Sequence, residues 1–223
     1  RDGSAALNLA DEIGSAALGV TCDVTDASSA QHAVQMTEQR FGRLNGLVHN
    51  AAAPSLDGTV VDLDEKQWRL ELDVSLTGAF LVSKFAVPLI AESGGGSVVF
   101  IASQFGHVAV AKSPAYCAAK AGLINLAKAM AIDHAAQKVR VNSLSPGAVA
   151  TARLLGRWKN MDAANAGLGP AHLLGRIGKP EEIAAAAAFL LSADSSFMTG
   201  ADLTEVRQLH DRGEMLCVCD IVI

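Results

Sequence analysis

The order of apolar and polar residues along the chain predicts an alternation of strands and helices. Short apolar runs at residues 16–22, 44–49, 98–101 and 140–144 have the length and composition of buried strands. Between them lie longer stretches in which apolar residues recur every three or four positions, as on one face of a helix. This alternation predicts an α/β fold, a Rossmann-like doubly wound parallel sheet with helices on both faces.

Polar residues mark where several of the helices should begin. Asp26 or Ser28 can cap one helix, and Asp64 can cap another. Ser75 stands at the predicted start of a second long helix that follows the one capped by Asp64. Residues 151–176 show no strong periodicity, and we expect them to form a mobile flap.

Small or polar residues follow the predicted strands at their carboxyl ends. Asn50 and Ala51 follow the second strand, Ser103 follows the third, and Thr151 lies just beyond the fourth. The carboxyl ends of parallel strands share one edge of the sheet, and open α/β sheets hold ligands there. We therefore expect these residues to converge on one ligand site, although each could also belong to a plain turn.

Tyr116 and Lys120 lie in a helix that Ser113 and Pro114 are placed to start. Four residues apart on a helix, their Cβ atoms should be about 5–6 Å from each other. A nearby ammonium favours the phenolate, so the phenol pKa, usually about 10, should move towards working pH. The pair is then a candidate general acid or base. Since Tyr-x-x-x-Lys is short, an ordinary pair on a helix surface is the alternative.

Composition and charge narrow the class of protein. The chain has 223 residues, of which 50% are hydrophobic and 18% charged, and its mean hydropathy is +0.28. These values are typical of a globular α/β chain with a single domain. The formal net charge of −5 and the pI of about 5.6 argue against nucleic acid as a partner.

Apolar runs and cysteines indicate the compartment. We expect no membrane partner, because no apolar run reaches the 18 or so residues that span a bilayer. The four cysteines are too few and too irregular for a disulfide framework, which favours a cytoplasmic protein. Cys217-x-Cys219 with His210 lacks a second ligand pair at zinc spacing, so no metal site is expected.

Several motifs along the chain carry a resemblance to a known family. In order they are Asp23-Val24, Asn50-Ala51-Ala52, Ser103, Tyr116-x-x-x-Lys120, Asn142-Ser143-x-Ser145-Pro146-Gly147 with Thr151, and Arg176-x-Gly178-x-Pro180-Glu181-Glu182. With these motifs the chain resembles a short-chain dehydrogenase/reductase. The resemblance covers residues 1–203, as one NAD(P)-binding domain, and leaves 204–223 as a divergent tail.

The resemblance implies an oxidoreductase that interconverts a secondary alcohol and a ketone by hydride transfer, with NAD or NADP as cofactor. Tyr116 would donate or accept the proton on the substrate oxygen, and Ser103 would hydrogen-bond the same oxygen. Lys120 would bind the nicotinamide ribose and favour the phenolate. By the same resemblance, the family's cofactor contacts fall on Asp23, Val24, Asn50, Ala51, Val149 and Thr151, besides Tyr116 and Lys120. A homodimer or homotetramer is implied as well.

The chain departs from the family pattern in three places. Ser75 stands where the family usually has an asparagine that helps to hold a water in a proton relay, and Ala52 stands where it has glycine. The family's first β-α-β unit, with its glycine-rich phosphate loop, does not precede Arg1. The chain is therefore expected to be N-terminally incomplete. The alternative function is a non-catalytic remnant that keeps only the fold and helix-mediated association.

Overall fold

A computed structural model describes residues 3–54 and 57–205. Its sheet has four parallel strands: β1 (Gly46–His49), β2 (Gly96–Ile101), β3 (Val139–Pro146) and β4 (Asp202–Glu205). They lie side by side in the order β1-β2-β3-β4. Each connection is a crossover that returns the chain to the same end of the sheet, as parallel pairing requires.

The helices alternate with these strands, which confirms the predicted α/β architecture. In the described residues the α-helices are α1 (Gly3–Ile13), α2 (Ala27–Phe41), α3 (Glu65–Leu72), α4 (Gly78–Glu92), α5 (Pro114–His134), α6 (Ala152–Leu155), α7 (Met161–Leu168) and α8 (Pro180–Leu191).

Side chains of β2 alternate between the two faces of the sheet. Val98 and Phe100 belong to a buried cluster with residues of α4 and α5. Val99 instead packs with Leu144 of β3 and Leu190 of α8 on the opposite face. Because successive strand residues point to opposite faces, helices cover the sheet on both sides. This is the doubly wound arrangement that the sequence predicts.

The strand predicted at residues 16–22 is wrong. These residues have no regular secondary structure and are half-buried or exposed. No described strand lies beside them, and an extended segment without a partner strand forms no ladder of hydrogen bonds. The apolar run is therefore real, but it is not part of the sheet.

The sequence predicts Ser75 at the start of a helix, and this prediction is wrong. Ser75 lies inside a continuous helical stretch. Helix α3 leads through a π-helical turn, Asp73–Thr77, directly into α4. The stretch Glu65–Glu92 is long enough to cross a membrane, and one apolar window of 18 residues within it has a mean hydropathy of 1.7. Since 39% of that apolar window is buried inside the protein, and core helices pass the same test, this is weak evidence for a membrane span.

Capping explains the other helix boundaries. The Asp26 carboxylate accepts hydrogen bonds from the backbone N–H groups of Ser28 and Ser29, so Asp26 is the cap of α2. Asp64 forms a reciprocal capping box with Gln67 at the start of α3. Ser113 occupies the cap position of α5, but its side chain makes no capping hydrogen bond. The predicted flap, residues 151–176, contains the short helices α6 and α7.

Candidate active site

Lys120 and Tyr116 lie together near the carboxyl end of β2. The Lys120 side chain is only 3% exposed, and its Nζ donates a hydrogen bond to the Ile101 carbonyl at 2.7 Å. The same Nζ lies 5.6 Å from the centroid of the Tyr116 ring. The i,i+4 spacing on α5 creates this proximity, and the bond to Ile101 anchors the ammonium to the end of the strand.

Ser103 follows β2 by two residues and is also buried. Its Oγ accepts a hydrogen bond from the Phe105 backbone N–H at 3.2 Å and caps the single turn of 3₁₀-helix Gln104–Gly106. A serine hydroxyl can accept and donate at the same time, so this bond leaves the Oγ proton able to reach a substrate oxygen.

Asn50 and Ala51 begin the turn that follows β1. Asn50 is exposed, whereas Ala53, three residues on, is buried. Ala52 is not among the described residues with positive φ, so alanine meets no left-handed strain where the family pattern has glycine. Side chains of this size leave the backbone of the turn open to close approach by a flat ligand.

Ser75 is fully buried and forms two hydrogen bonds near this turn. Its Oγ donates to Glu71 Oε1 at 2.7 Å and accepts from the Ala53 backbone N–H at 3.4 Å. Sequence reasoning did not select Glu71. Its only sequence signal is its spacing of four residues from Ser75, which places both on one helix face.

His49, the last residue of β1, is a second buried group that sequence reasoning missed. Its Nε2 is buried without a hydrogen-bond partner, and its ring packs edge-on against Phe100 at 6.3 Å between centroids. Burial and, to a lesser extent, the charge of Lys120 lower the pKa of His49 to about 4. The imidazole is therefore neutral at physiological pH.

Asp23 and Val24 form a loop before α2. One Asp23 carboxylate oxygen accepts from both the backbone N–H and the hydroxyl of Thr25, at 3.0 and 2.7 Å. Val24 lies against Gly78 at the start of α4, where an added methyl group would approach Val24 Cγ2 to 2.7 Å. The Asp23-Val24 loop is thus fixed to the helix that follows the Ser75 turn.

Val149 and Thr151 lie beyond β3. Val149 bridges to Gly178, and the Ala150 N–H donates to the Gly178 carbonyl at 2.9 Å. Thr151 is exposed, and its Oγ1 accepts from the backbone N–H of residue 154 to cap α6. The segment from Val149 to Thr151 is therefore held in place by backbone pairing with Gly178 and by the capping side chain of Thr151.

The motif from Arg176 to Glu182 supports this pairing at Gly178. Both guanidinium NH groups of Arg176 contact the Glu182 carboxylate, at 2.6 and 2.8 Å, and Glu182 also accepts from the Lys179 backbone N–H at 2.8 Å. The Arg176 hydrogen bonds are the main reason that the pKa of Glu182 falls to about 2. This motif therefore has a structural role beside the site.

Asp202, at the start of β4, is a further missed residue. Its carboxylate accepts from the Ser143 hydroxyl, from Ser145 Oγ at 2.8 Å and from Thr204 Oγ1 at 3.0 Å. His107 Nε2 lies 2.6 Å from Oδ2, the oxygen that also accepts from Thr204, whereas the Ser143 and Ser145 hydroxyls both donate to Oδ1. One aspartate thus joins β3, β4 and the turn after Ser103.

His172 joins the flap to the chain after β3. It is buried, its Nε2 accepts from the Ala148 N–H at 2.8 Å, and its Nδ1 lies 2.8 Å from the Leu168 carbonyl. Because Nε2 is an acceptor, the ring must be neutral with its proton on Nδ1. This contact sets the position of the residue before Val149.

Two surface cavities lie away from these residues. One, of about 460 Å³, is lined by the Gly94–Gly96 turn, Lys138, Arg140 and Leu191 at the amino end of the strands. Within residues 3–54 and 57–205 no cluster of three or more His, Cys, Asp or Glu side chains is suited to a metal ion. Cys217-x-Cys219 and His210 lie outside the described residues.

Comparison with known proteins agrees with this architecture. A family profile described as enoyl-(acyl carrier protein) reductase matches residues 1–205. The chain is 39% identical over 204 residues to the inactive 2-(S)-hydroxypropyl-CoM dehydrogenase 2 of Xanthobacter autotrophicus, covering 90% of this chain and 88% of the relative. It is 37% identical over 192 residues to the cis-4-hydroxycyclohexanecarboxylate dehydrogenase of Sinomonas cyclohexanicum, covering 86% of this chain and 76% of the relative.

A solved structure from Burkholderia xenovorans, assigned to the short-chain dehydrogenases/reductases, matches with a TM-score of 0.79 and 37% identity. It covers 90% of this chain and 77% of the matched chain. An α/β fold with a parallel sheet is thus shared with dehydrogenases. The chain belongs to the short-chain dehydrogenase/reductase family, whose cofactor is NAD or NADP.

The residues at this edge fit a nicotinamide cofactor by their chemistry. A buried ammonium, a phenol and hydroxyl groups match the hydroxyl and carboxamide groups of the nicotinamide ribose half, and the alanines after Asn50 leave room for flat rings. Which residues contact the cofactor stays a prediction from the sequence, and that prediction comprises Asp23, Val24, Asn50, Ala51, Tyr116, Lys120, Val149 and Thr151.

Proposed function

We propose that this protein interconverts a secondary alcohol and a ketone, with Tyr116 as the general acid and base. The observation that carries this proposal is the position of the Lys120 ammonium, 5.6 Å from the ring centroid of the chain's only tyrosine. The names of the two curated relatives support the substrate class, because 2-hydroxypropyl and 4-hydroxycyclohexane groups are both secondary alcohols.

Three residues have separate roles in the proton transfer: Lys120 acts on the phenol, Tyr116 moves the proton and Ser103 positions the substrate oxygen. Lys120, held by the Ile101 carbonyl, places a positive charge beside the phenol and favours its phenolate form. In the oxidising direction Tyr116 takes the hydroxyl proton of the substrate, and in the reducing direction it returns that proton to the oxygen. Ser103 donates a hydrogen bond to the same oxygen and fixes its position.

The cofactor supplies the hydride acceptor or donor when it is bound. The turn at Asn50 and Ala51, the loop at Asp23 and Val24, and the segment with Val149 and Thr151 would orient it against the substrate carbon. In the same proposal, residues 1–203 form one NAD(P)-binding domain followed by a divergent tail. Strand β4 extends two residues beyond that boundary, to Glu205.

The test is Tyr116→Phe, which removes only the phenolic oxygen. We expect kcat to fall at least about 100-fold, because general acid–base catalysis typically contributes about 10²–10⁴-fold. The dissociation constant for NADH or NADPH should change little, as measured by the fluorescence of the bound nicotinamide. Retained turnover in Tyr116→Phe would remove this role from the tyrosine.

Lys120 has a matched control on the same helix. Lys120→Met should lower both kcat and cofactor affinity, since the ammonium serves the phenol and the ribose. Lys128→Met changes an exposed lysine two turns further along α5 and should leave both unchanged. Equal effects of the two substitutions would mean that the loss comes from helix stability and not from the site.

A second candidate is a non-catalytic member of the family. The observation that favours it is the Xanthobacter relative, which is 39% identical and is named as inactive. Turnover of 4-hydroxycyclohexanecarboxylate or 2-hydroxypropyl substrates with NAD or NADP separates the two functions. Cofactor binding without turnover of these and other cyclic and open-chain secondary alcohols would favour the non-catalytic function.

A further inference from the structure

Glu71 is a carboxylate in an unusual place. It lies on the last turn of α3 and is only 5% exposed. Carboxylates are rarely buried to this degree unless hydrogen bonds or opposite charges compensate for the lost water. The hydrogen bond that Glu71 accepts comes from Ser75 Oγ, at 2.7 Å.

This bond determines how Ser75 meets the rest of the site. A serine hydroxyl has one proton and two acceptor positions. Because that proton is directed to Glu71, the oxygen faces the Ala53 backbone N–H as an acceptor, at 3.4 Å. The three groups form one directed chain, in which Ala53 donates to Ser75 and Ser75 donates to Glu71.

Ala53 needs this acceptor because its residue is buried, with 2% exposure, and buried backbone N–H groups are almost always paired. The bond is longer than the usual 2.7–3.2 Å for N–H···O, so it depends on the hydroxyl keeping its orientation. If Glu71 were not an acceptor, Ser75 could rotate its proton elsewhere and the bond to Ala53 would weaken further.

The helical stretch brings Glu71 and Ser75 together beside the turn that follows β1. They are four residues apart, and Ser75 lies in the π-helical turn Asp73–Thr77, where the Gly78 N–H bonds back five residues to Asp73. Such π turns occur often at functional sites. Here the turn packs beside the segment that follows β1, since the Ala53 N–H donates to Ser75 Oγ at 3.4 Å.

We infer that Glu71 is a positioning residue, which orients the Ser75 hydroxyl and thereby fixes the turn Asn50–Ala53 in the shape that faces the cofactor. The contact between that turn and the cofactor rests on the proposed function. The orientation of Ser75 and the protection of the Ala53 amide do not depend on it.

The test compares Glu71→Leu, Glu71→Gln and Ser75→Ala by amide hydrogen exchange. Leucine removes the acceptor and Ser75→Ala removes the hydroxyl, so in both variants the Ala53 amide should exchange about 10-fold faster than in the wild type. Glutamine keeps a carbonyl oxygen that can accept the Ser75 proton, so Glu71→Gln should protect Ala53 nearly as well as the wild type. Amides of β3 in the same spectra report any global loss of stability.

Steady-state kinetics supply a second readout that a purely structural role would not move. Glu71→Leu should raise KM for the nicotinamide cofactor several-fold with a smaller change in kcat, and Glu71→Gln should restore it. The double variant Glu71→Leu/Ser75→Ala should be no worse than either single variant, because the chain of bonds is already broken.

Equal Ala53 protection in Glu71→Leu and Glu71→Gln, after correction with the β3 amides, would overturn the inference. Additive effects of Glu71→Leu and Ser75→Ala would also overturn it. If the Ala53 amide loses protection in Glu71→Leu while the wild-type protein binds neither NADH nor NADPH, the positioning role is supported and the proposed function is contradicted.

Discussion

His107 Nε2 and Asp202 Oδ2 are 2.6 Å apart, although 95 residues separate them in the chain. The Asp202 side chain is 8% exposed, and its carboxylate also accepts from Ser143 and Ser145 of β3. The aspartate therefore fastens the turn that follows Ser103 to two strands of the sheet. This arrangement leads to a first prediction about stability.

We expect Asp202→Asn to lower the free energy of unfolding by about 2–3 kcal/mol. The amide is neutral and has one acceptor oxygen in place of two, so His107, Ser143 and Ser145 all lose a charged partner and at least one donor loses its acceptor. Hydrogen bonds to charged groups are worth about 1.5–3 kcal/mol. Urea denaturation followed by circular dichroism measures the change.

Asp133→Asn is the control, because Asp133 is exposed on α5. It should alter the free energy of unfolding by less than about 0.5 kcal/mol. Equal midpoints for Asp202→Asn and wild type would show that the aspartate contributes nothing net to the fold.

The Asp202 cluster shows where prediction from sequence ends. The alternation of Ser143 and Ser145 in β3 is visible in the sequence, but their acceptor depends on the register that pairs Ser143 with Asp202 of β4. By contrast, the contact of Tyr116 with Lys120 depends only on local helix geometry, so the sequence was sufficient to predict it. Local spacing can be predicted, whereas contacts between distant segments need the fold.

The same distinction between local and distant contacts explains why two predictions about the fold were wrong. The apolar run at residues 16–22 satisfies the local pattern of a strand, but strand formation needs a neighbour, and the described residues provide none. Ser75 resembles a helix cap locally, yet the helix continues through it as a π turn. Because the sequence predicts that a new helix begins at Ser75, it does not predict that Glu71 and Ser75 share one helix face.

The second prediction concerns the buried imidazole of His49. Its pKa is about 4 in the folded protein and 6.5 ordinarily, because burial and then Lys120 disfavour its charged form. Between these values the unfolded chain binds a proton that the folded chain does not, so stability falls as pH drops from 6.5 to 4. The contribution of this one group is roughly 3 kcal/mol at most.

His49→Gln removes the titrating group and should make the free energy of unfolding less dependent on pH between 6.5 and 4. Chemical denaturation at several pH values in this window measures the slope. His32→Gln, which replaces an exposed imidazole on α2, is the matched control. The same slope in wild type and His49→Gln would mean that His49 is protonated in the folded protein as readily as in the unfolded chain.

The third prediction concerns Glu182. Hydrogen bonds from Arg176 and from the Lys179 backbone hold its pKa at about 2, below the usual 4.5. A lowered carboxyl pKa means that the stabilising contact is present above pH 4.5 and is lost as pH falls towards 2. In a ¹³C NMR titration the Glu182 carboxyl should therefore titrate near 2, and Arg176→Met should move its midpoint up towards 4.5.

Arg69→Met is the control for that titration, since Arg69 pairs only loosely with Glu65, at 3.8 Å. It should leave the midpoint of Glu182 unchanged. A Glu182 midpoint near 4.5 in the wild-type protein would show that the contact with Arg176 does not persist in solution, and would leave the Gly178 pairing dependent on its backbone bonds alone.

The fourth prediction concerns His172, whose ring nitrogens contact the Ala148 N–H and the Leu168 carbonyl. Since Nε2 accepts, ¹⁵N chemical shifts of the ring should show the neutral tautomer with the proton on Nδ1. His172→Phe keeps a flat ring but removes the acceptor, so it should lower the free energy of unfolding by about 1–3 kcal/mol and speed exchange of the Ala148 amide. The Ala102 amide, which donates to Leu144, is the internal control.

Because Ala148 immediately precedes Val149, His172→Phe should also raise the cofactor KM if that segment contacts nicotinamide. An Nε2-protonated tautomer would contradict the contact itself, whereas the predicted tautomer with an unchanged KM would contradict only the link between the flap and the cofactor segment.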